Sequence, residues 1–242
     1  MAGRAQSDDP MDRAAKRPLE HRSPPRLQEG PGRVRALITA GATRESLDPV
    51  RFISNASTGA QGAMLAVEAL ARGWEVDLVH GHLEAHRDVP ENVRRHAALT
   101  ARDMLDVCRR LHPSCDVLIA AAAVSDYTPR EVSTRKKKRD GSVWTLELVP
   151  TEDILLALRE SKGRRVHAGF ALETEDVERN ALRKLESKGL DWIVANGPEA
   201  IGGKASRYVI LGRGGERHDM GIATKAEVAR ALLDALEPGI GR

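Results

Sequence analysis

Apolar and polar positions divide the chain into two unequal stretches. Residues 1 to about 32 are rich in Pro, Arg, Asp and Glu and carry no apolar periodicity, which predicts a disordered tail. From Arg33 the pattern changes. Arg33–Thr39 reads as a first strand, a polar loop follows, and Gln61 to about Arg72 reads as a helix closed by Gly73. Trp74–His80 alternates as a second strand, and Val93–Ala97 is a short third. Thr100 stands as the cap of a helix from Ala101 to about Leu111, with Met104, Leu105 and Cys108 on one face. Asp116–Ala123 is a continuous apolar run, the pattern of a central parallel strand buried on both faces.

The second half continues the alternation. Ser142–Val149 is expected as the return strand of a hairpin whose tip is basic. Thr151 is expected to cap a helix with Glu152 and Asp153 in its first turn. Val166–Ala171 reads as a strand, and Asp176–Ser187 as an amphipathic helix with Val177, Ala181, Leu182 and Leu185 inward. Leu190–Ala195 is expected as the last sheet strand and Ala226–Leu236 as a closing helix. Strands and helices in this alternation predict an α/β fold: a Rossmann-like, doubly wound, mostly parallel sheet flanked by helices, with a protruding β-hairpin flap, as a single domain over residues 33–242. Ligands of such sheets sit at the carboxyl ends of strands, here the loops after Thr39 and after Ala123.

Composition narrows the classes. The 242 residues are 41% hydrophobic and 30% charged, a balance typical of a soluble globular protein. Thirty-eight basic residues against 35 acidic leave a net charge of +3, a mild attraction for phosphates and not a nucleic-acid footprint. Aromatic content of 3% argues against a base-stacking surface. No apolar run approaches the ~18 residues of a membrane span. Cys108 and Cys115 fit no metal or redox spacing, which fits a reducing, cytoplasmic setting. His82 and His86 lie on one loop with His80 nearby and without a carboxylate or thiol set, so solvated loop histidines outweigh a metal site, and no metal ligand is assigned.

The candidate chemistry concentrates in Ala36–Gly62, ALITAGATRESLDPVRFISNASTGAQG. Strand, small-residue loop and helix leave backbone N–H groups and a helix N-terminus facing an anion. Ser57 or Thr58 can cap that helix, and Asn55 is left without an obvious structural task. Asp126, after the central strand, fits either a ligand contact or a turn before Pro129. Arg135-Lys136-Lys137-Lys138-Arg139 is either a solvated tip or a basic flap over a polyphosphate. Lys184 and Lys188 share one helix face.

The stretch TAGATRE…DPVRFISNASTG resembles the TAGGTREP(I/L)DPVR(Y/F)ISN(x)SSGKMG segment of phosphopantothenate–cysteine ligases of coenzyme A biosynthesis. AAAVSDYTP is similar to that family's AAAVADxxP, the basic run to its K-x-K-K flap, FALET to its GFAAET, and the Lys184–Lys188 helix to its A-x-x-K-L-x-x-K-x-x-D. The resemblance covers about Arg33–Leu236 and departs at Ala60-Gln61, where the family usually has Lys-Met, and at Lys137, which replaces a usual apolar residue. It implies a free-standing ligase without the flavin-binding decarboxylase half to which many bacteria fuse it. The implied reaction joins 4′-phosphopantothenate to cysteine through an acyl-nucleotide, with CTP favoured over ATP, Mg²⁺ on the phosphates, and a homodimer.

Carried over residue by residue, the resemblance implies catalytic roles for Asn55 and Lys136. It implies nucleotide contacts at Ala122, Ala123, Asp126, Lys136, Lys138, Phe170, Lys184 and Lys188. A phosphate or acyl cradle is implied at Gly41, Thr43, Arg44, Ser57, Thr58 and Gly59. Two other readings stand beside it. One is a non-catalytic nucleotide-binding paralogue, kept open by Ala60. The other is an NAD(P)-dependent oxidoreductase, weakened because no G-x-G-x-x-G follows the first strand.

Overall fold

The structure, a computed structural model, describes residues 33–84 and 89–241. The expected tail and His86 lie outside the described residues. The strands of the main sheet are β1 (Arg35–Ala40), β4 (Glu75–His80), β5 (Arg94–Ala97), β6 (Val117–Ala120), β9 (Val166–Leu172), β10 (Trp192–Asn196), β11 (Ala205–Gly212) and β12 (Arg217–Thr224). Two small ladders sit apart from it: β2 (Arg44–Asp48) with β3 (Arg51–Ser54), and β7 (Tyr127–Pro129) with β8 (Leu148–Pro150). The helices are α1 (Ala60–Ala71), α2 (Ala101–Leu111), α3 (Ile154–Arg159), α4 (Val177–Ser187) and α5 (Lys225–Leu236).

The sheet runs in the order β12-β11-β10-β9-β6-β1-β4-β5. Neighbours from β10 to β5 pair in parallel, and β11 and β12 add an antiparallel edge. Alternation along each strand feeds two cores. Ala36, Ile38 and Ala40 of β1 pack with Val117, Ile119 and Val194 under α1 and α5. Leu37 packs with Leu118, Ile193 and Ala195 under α2, α3 and α4. Burial on both faces explains why the central strands read as unbroken apolar runs.

Several expectations need correction. The polar loop after the first strand contains the β2–β3 hairpin, because Asp48 Oδ1 accepts from the amides of Val50 and Arg51 and closes a tight turn. The return strand over 142–149 shrinks to β8. Its alternating side chains have no sheet to cover them: Val143 is 90% exposed, and Trp144 and Leu146 also face solvent. Helix α1 is capped by Gly59 at φ 76° and not by Ser57 or Thr58. Asp153, not Thr151, caps α3 through the amides of Leu155 and Leu156, since Thr151 Oγ1 donates to the Ser125 carbonyl. Leu182 is 42% exposed because the inward stripe of α4 is Ala181 and Leu185. Leu190–Ala195 is not the last strand, as β11 and β12 extend the sheet. The Thr100 cap and the α2 face of Met104, Leu105 and Cys108 are as expected, with Asp103 completing a capping box.

A buried histidine pair couples stability to pH. His112 Nε2 and His167 Nε2 lie 2.9 Å apart, with Ser161 Oγ 3.3 Å from His112 Nδ1. One ring donates and the other accepts, so the two cannot both be protonated. Burial, then the nearby Arg165 charge, pushes His112 down to about 4. Burial, then His112, Lys162 and Arg165, pushes His167 down to about 3. An unfolded histidine binds its proton below about 6.5 while these do not. The unfolded chain therefore binds more protons below pH ~6.5, and stability falls as pH drops from there towards pH ~4. The slope approaches about 1.4 kcal/mol per pH unit for each histidine. Thermal melts between about pH 8 and pH 5 should show a midpoint that is flat above neutrality and falls below it. Replacing both rings, His112→Leu with His167→Leu, should flatten the acid limb.

Candidate active site

The strand order reverses between β1 and β6, so the loops leaving their carboxyl ends diverge and open a crevice. The sequence holds those two loops together. Ala42 bridges both His82 and Ala123, and the Thr43 amide donates to the Ala123 carbonyl. The Thr43 hydroxyl accepts from the Ser125 amide at 2.9 Å and donates to Ser125 Oγ at 3.2 Å. Asn55, at the end of the β2–β3 hairpin, donates from Nδ2 to the Ala123 carbonyl at 3.0 Å. The hairpin is thereby pinned across the loop after β6.

A cleft of about 680 Å³ opens at this junction. Asn55, Ser57 and Thr58 line it from the hairpin side, Ala122, Ala123 and Asp126 from the β6 loop, and Phe170 from β9. Lys184 and Lys188 of α4 complete the set. The two lysines are held by carboxylates: Lys184 Nζ lies 2.6 Å from Glu173 Oε1, and Lys188 Nζ 2.8 Å from Asp153 Oδ2. Burial opposes the Asp153 charge, but the Lys188 ammonium and the capped α3 amides outweigh it and hold the carboxyl below its ordinary range. Asp126 is exposed and has no side-chain partner among the described residues.

The other expected site residues lie elsewhere. Thr43 is fully buried and bonded to Ser125, so its hydroxyl stands behind the cleft wall and not in a phosphate cradle. Gly41 and Gly59 also lie behind the wall, at φ +76° each. A Cβ on Gly59 would stand 2.2 Å from Leu83 Cδ1 and 3.1 Å from Gly41 Cα. Their glycine identity is a matter of close backbone approach. The Arg44 guanidinium stacks 4.4 Å from the Phe52 ring centre, away from the cleft. Lys136 and Lys138 are exposed on the segment between β7 and β8, outside the cleft lining and without a hydrogen bond or ion pair among the described residues.

The cleft also contains residues that the sequence did not single out: Gln61, Asn196, Tyr208 and Lys225. Tyr208 is 2% exposed, and its phenol has no partner among the described residues. Lys225 Nζ donates to the carbonyls of Ala200 and Gly203 and is lowered in pKa by burial. Among the described residues it faces no carboxylate within ion-pair distance, so it is a cleft lysine held by carbonyl dipoles alone. A signal for it existed: Thr224 and Glu227 form a capping box that starts α5 at Lys225, at the end of β12.

The sequence profile for the C-terminal domain of DNA/pantothenate metabolism flavoproteins matches residues 32–238. The chain belongs to this family. It is 37% identical over 205 residues to the coenzyme A biosynthesis bifunctional protein CoaBC of Bacillus subtilis (strain 168), covering 83% of this chain and 50% of that protein. It is 39% identical over 204 residues to a cysteine/cysteine sulfinic acid decarboxylase of an unknown prokaryote, covering 82% of this chain and 56% of that protein. The crystal structure of the C-terminal domain of a CoaBC protein superposes with a TM-score of 0.73 at 36% identity, covering 85% of this chain and 94% of that one. The chain spans about half the length of the curated relatives it matches. The segment from Asn55 into α1 and the Lys184–Lys188 face form two walls of the cleft. Among the described residues no helix is long and apolar enough to cross a membrane.

The fit of a divalent cation rests on Asp126. Among the described residues no group of three or more His, Cys, Asp or Glu forms a cage that could hold a metal. A free carboxylate at a strand end suits Mg²⁺ delivered with a polyphosphate, whose oxygens and waters supply the other ligands. Lys225→Met should weaken binding of a Mg²⁺–nucleoside triphosphate about tenfold by calorimetry. Lys225→Arg, which keeps the charge, should lose less.

Proposed function

We propose that the chain is a phosphopantothenate–cysteine ligase. The observation that carries the reading is the convergence of Asn55, Asp126, Lys184 and Lys188 on one cleft at the strand-order reversal. A carboxylate is a poor electrophile and has to be activated. A carboxylate oxygen of 4′-phosphopantothenate attacks the α-phosphorus of a nucleoside triphosphate, and pyrophosphate leaves with the bonding pair. The cysteine amine then attacks the acyl carbon, the nucleoside monophosphate leaves with its bridging oxygen, and the ammonium loses a proton to give the amide. Both steps move negative charge, so positioning and cationic neutralisation do most of the work.

The residues divide that work. Lys184 and Lys188 exchange Glu173 and Asp153 for nucleotide oxygens, and Phe170 lies against the base. Asn55 spends its Nδ2 on the Ala123 carbonyl, which leaves Oδ1 free to accept from the incoming amine. The main-chain N–H groups of Ser57 and Thr58 cradle the acyl-nucleotide, and Ala122 and Ala123 line the same cleft. Lys136, with Lys138, neutralises the triphosphate from the flap. Mg²⁺, held with the phosphates near Asp126, neutralises phosphate charge when bound. CTP is favoured over ATP because AVSD and the basic flap are closer to the bacterial form of the family. A homodimer, with the flap reaching a partner subunit, fits the exposed apolar side chains beside it, Val132, Val143 and Trp144.

The test is pyrophosphate release with 4′-phosphopantothenate and Mg²⁺, with CTP and ATP in parallel and with and without cysteine. CTP should support release and cysteine-dependent amide formation. Lys136→Ala should slow pyrophosphate release by on the order of a hundredfold. Asn55→Asp should still release pyrophosphate but yield little amide, and a normal amide yield would remove its role. Nucleotide binding with no release from either triphosphate would instead support the non-catalytic reading, which the alanine at position 60 keeps open.

A further inference from the structure

The flap lysines are held differently from those of the cleft. Lys136 and Lys138 have no side-chain partner among the described residues, whereas Lys137 between them is held through its amide, its carbonyl and its ammonium. Its amide donates to Asp48 Oδ2 at 3.3 Å, and its carbonyl accepts from the Arg51 guanidinium at 2.7 Å. Its ammonium reaches Asp140 at 3.3 Å and stands 5.9 Å from the Trp144 ring centre, with the Arg51 guanidinium 5.2 Å from the same ring. A second tie joins the same two segments, since the Ser133 amide donates to the Leu47 carbonyl at 3.0 Å.

Asp48 is the centre of this grip. Its side chain has no exposed surface, and its two oxygens divide the work. Oδ1 accepts from the Val50 and Arg51 amides and closes the hairpin turn, while Oδ2 accepts from Lys137 and lies 3.4 Å from the Arg51 guanidinium. These hydrogen bonds and the Arg51 charge overcome the effect of burial and keep the carboxyl ionised, below its ordinary range. A bare turn needs only one of those oxygens.

We propose that Asp48 is a positioning residue for the basic flap. By holding the Lys137 main chain against the β2–β3 hairpin, it fixes which lysines of the run are free and presents Lys136 and Lys138 to the anionic co-substrate. The grip stands on geometry alone, and its consequence for turnover rests on the ligase reading above. It also accounts for Lys137, which here is the anchored member of the run and not one that binds substrate.

Asp48→Asn separates the two tasks. The variant amide keeps an oxygen for the Val50 and Arg51 amides, and its NH₂ then faces the Lys137 N–H and Arg51, where an acceptor is required. Limited trypsin digestion reads the grip without reference to activity, because Arg135–Arg139 is a run of cleavage sites. Asp48→Asn should be cut there about tenfold faster than the unsubstituted protein, with a thermal midpoint within a few degrees of it. Pyrophosphate release should fall about tenfold in kcat with little change in the KM for the nucleotide. The triple variant Asp48→Asn/Lys136→Ala/Lys138→Ala should be no slower than Lys136→Ala/Lys138→Ala. Equal cleavage rates would overturn the grip, and additive losses in the triple variant would overturn its role in positioning. If the unsubstituted protein released no pyrophosphate, the ligase reading would fall while digestion still decided the grip.

Discussion

The fully buried Thr43 hydroxyl is the joint on which the site depends. It accepts from the Ser125 amide and donates to the Ser125 hydroxyl, and so couples the loop after β1 to the loop after β6. These strands are neighbours in the sheet, but 82 residues separate the two bonded positions. Beside that joint, the Thr43 amide and Asn55 Nδ2 both donate to the Ala123 carbonyl, so the hairpin side and the β6 loop meet at one oxygen. Close approach of Gly41 and Gly59 sets helix α1 down beside the same joint. Removing the Thr43 hydroxyl would strand a buried Ser125 amide, at a cost of about 1–3 kcal/mol.

Charge is arranged differently in three parts of the molecule. In the cleft wall, Lys184 and Lys188 are neutralised by Glu173 and Asp153, so an arriving anion replaces one partner with another and finds no bare cation. At the cleft floor, Lys225 is held by carbonyl dipoles and keeps its net charge. On the flap, Lys136 and Lys138 are open while Lys137 is clasped. This suits a polyphosphate that enters past mobile-charge side chains and is then held by pre-positioned ones. A group fixed before reaction costs no reorganisation during it.

Much of this was legible in the sequence, for physical reasons. Strands buried on both faces, such as Val117–Ala120, cannot tolerate polar side chains and so announce themselves. Thr100 and Asp103 announce α2 by the hydrogen bonds they make. The β2–β3 hairpin was hidden because its strands are short and polar and its turn is set by Asp48, a residue that also reads as ordinary loop chemistry. SVWTLELV misled in the other direction, since alternation predicts a strand only where another surface covers the apolar side. Asn55, Asp126, Phe170, Lys184 and Lys188, singled out by spacing and resemblance, line one cleft. The structural task of the Thr43 hydroxyl was hidden because its partner, Ser125, is distant in sequence. Asn196, Tyr208 and Lys225 come from β10, from β11 and from the helix after β12, on the side of the sheet away from β4 and β5, which no local pattern could connect to the first loop.

The central claim is that activation passes through a bond between the substrate carboxylate and the nucleotide α-phosphorus. It is tested most directly with 4′-phosphopantothenate carrying ¹⁸O in its carboxylate, followed by mass spectrometry of the products after a turnover with cysteine. The account predicts one ¹⁸O in the released nucleoside monophosphate and none in pyrophosphate. Label in inorganic phosphate, with a nucleoside diphosphate as co-product, would contradict it and place activation at the γ-phosphorus instead.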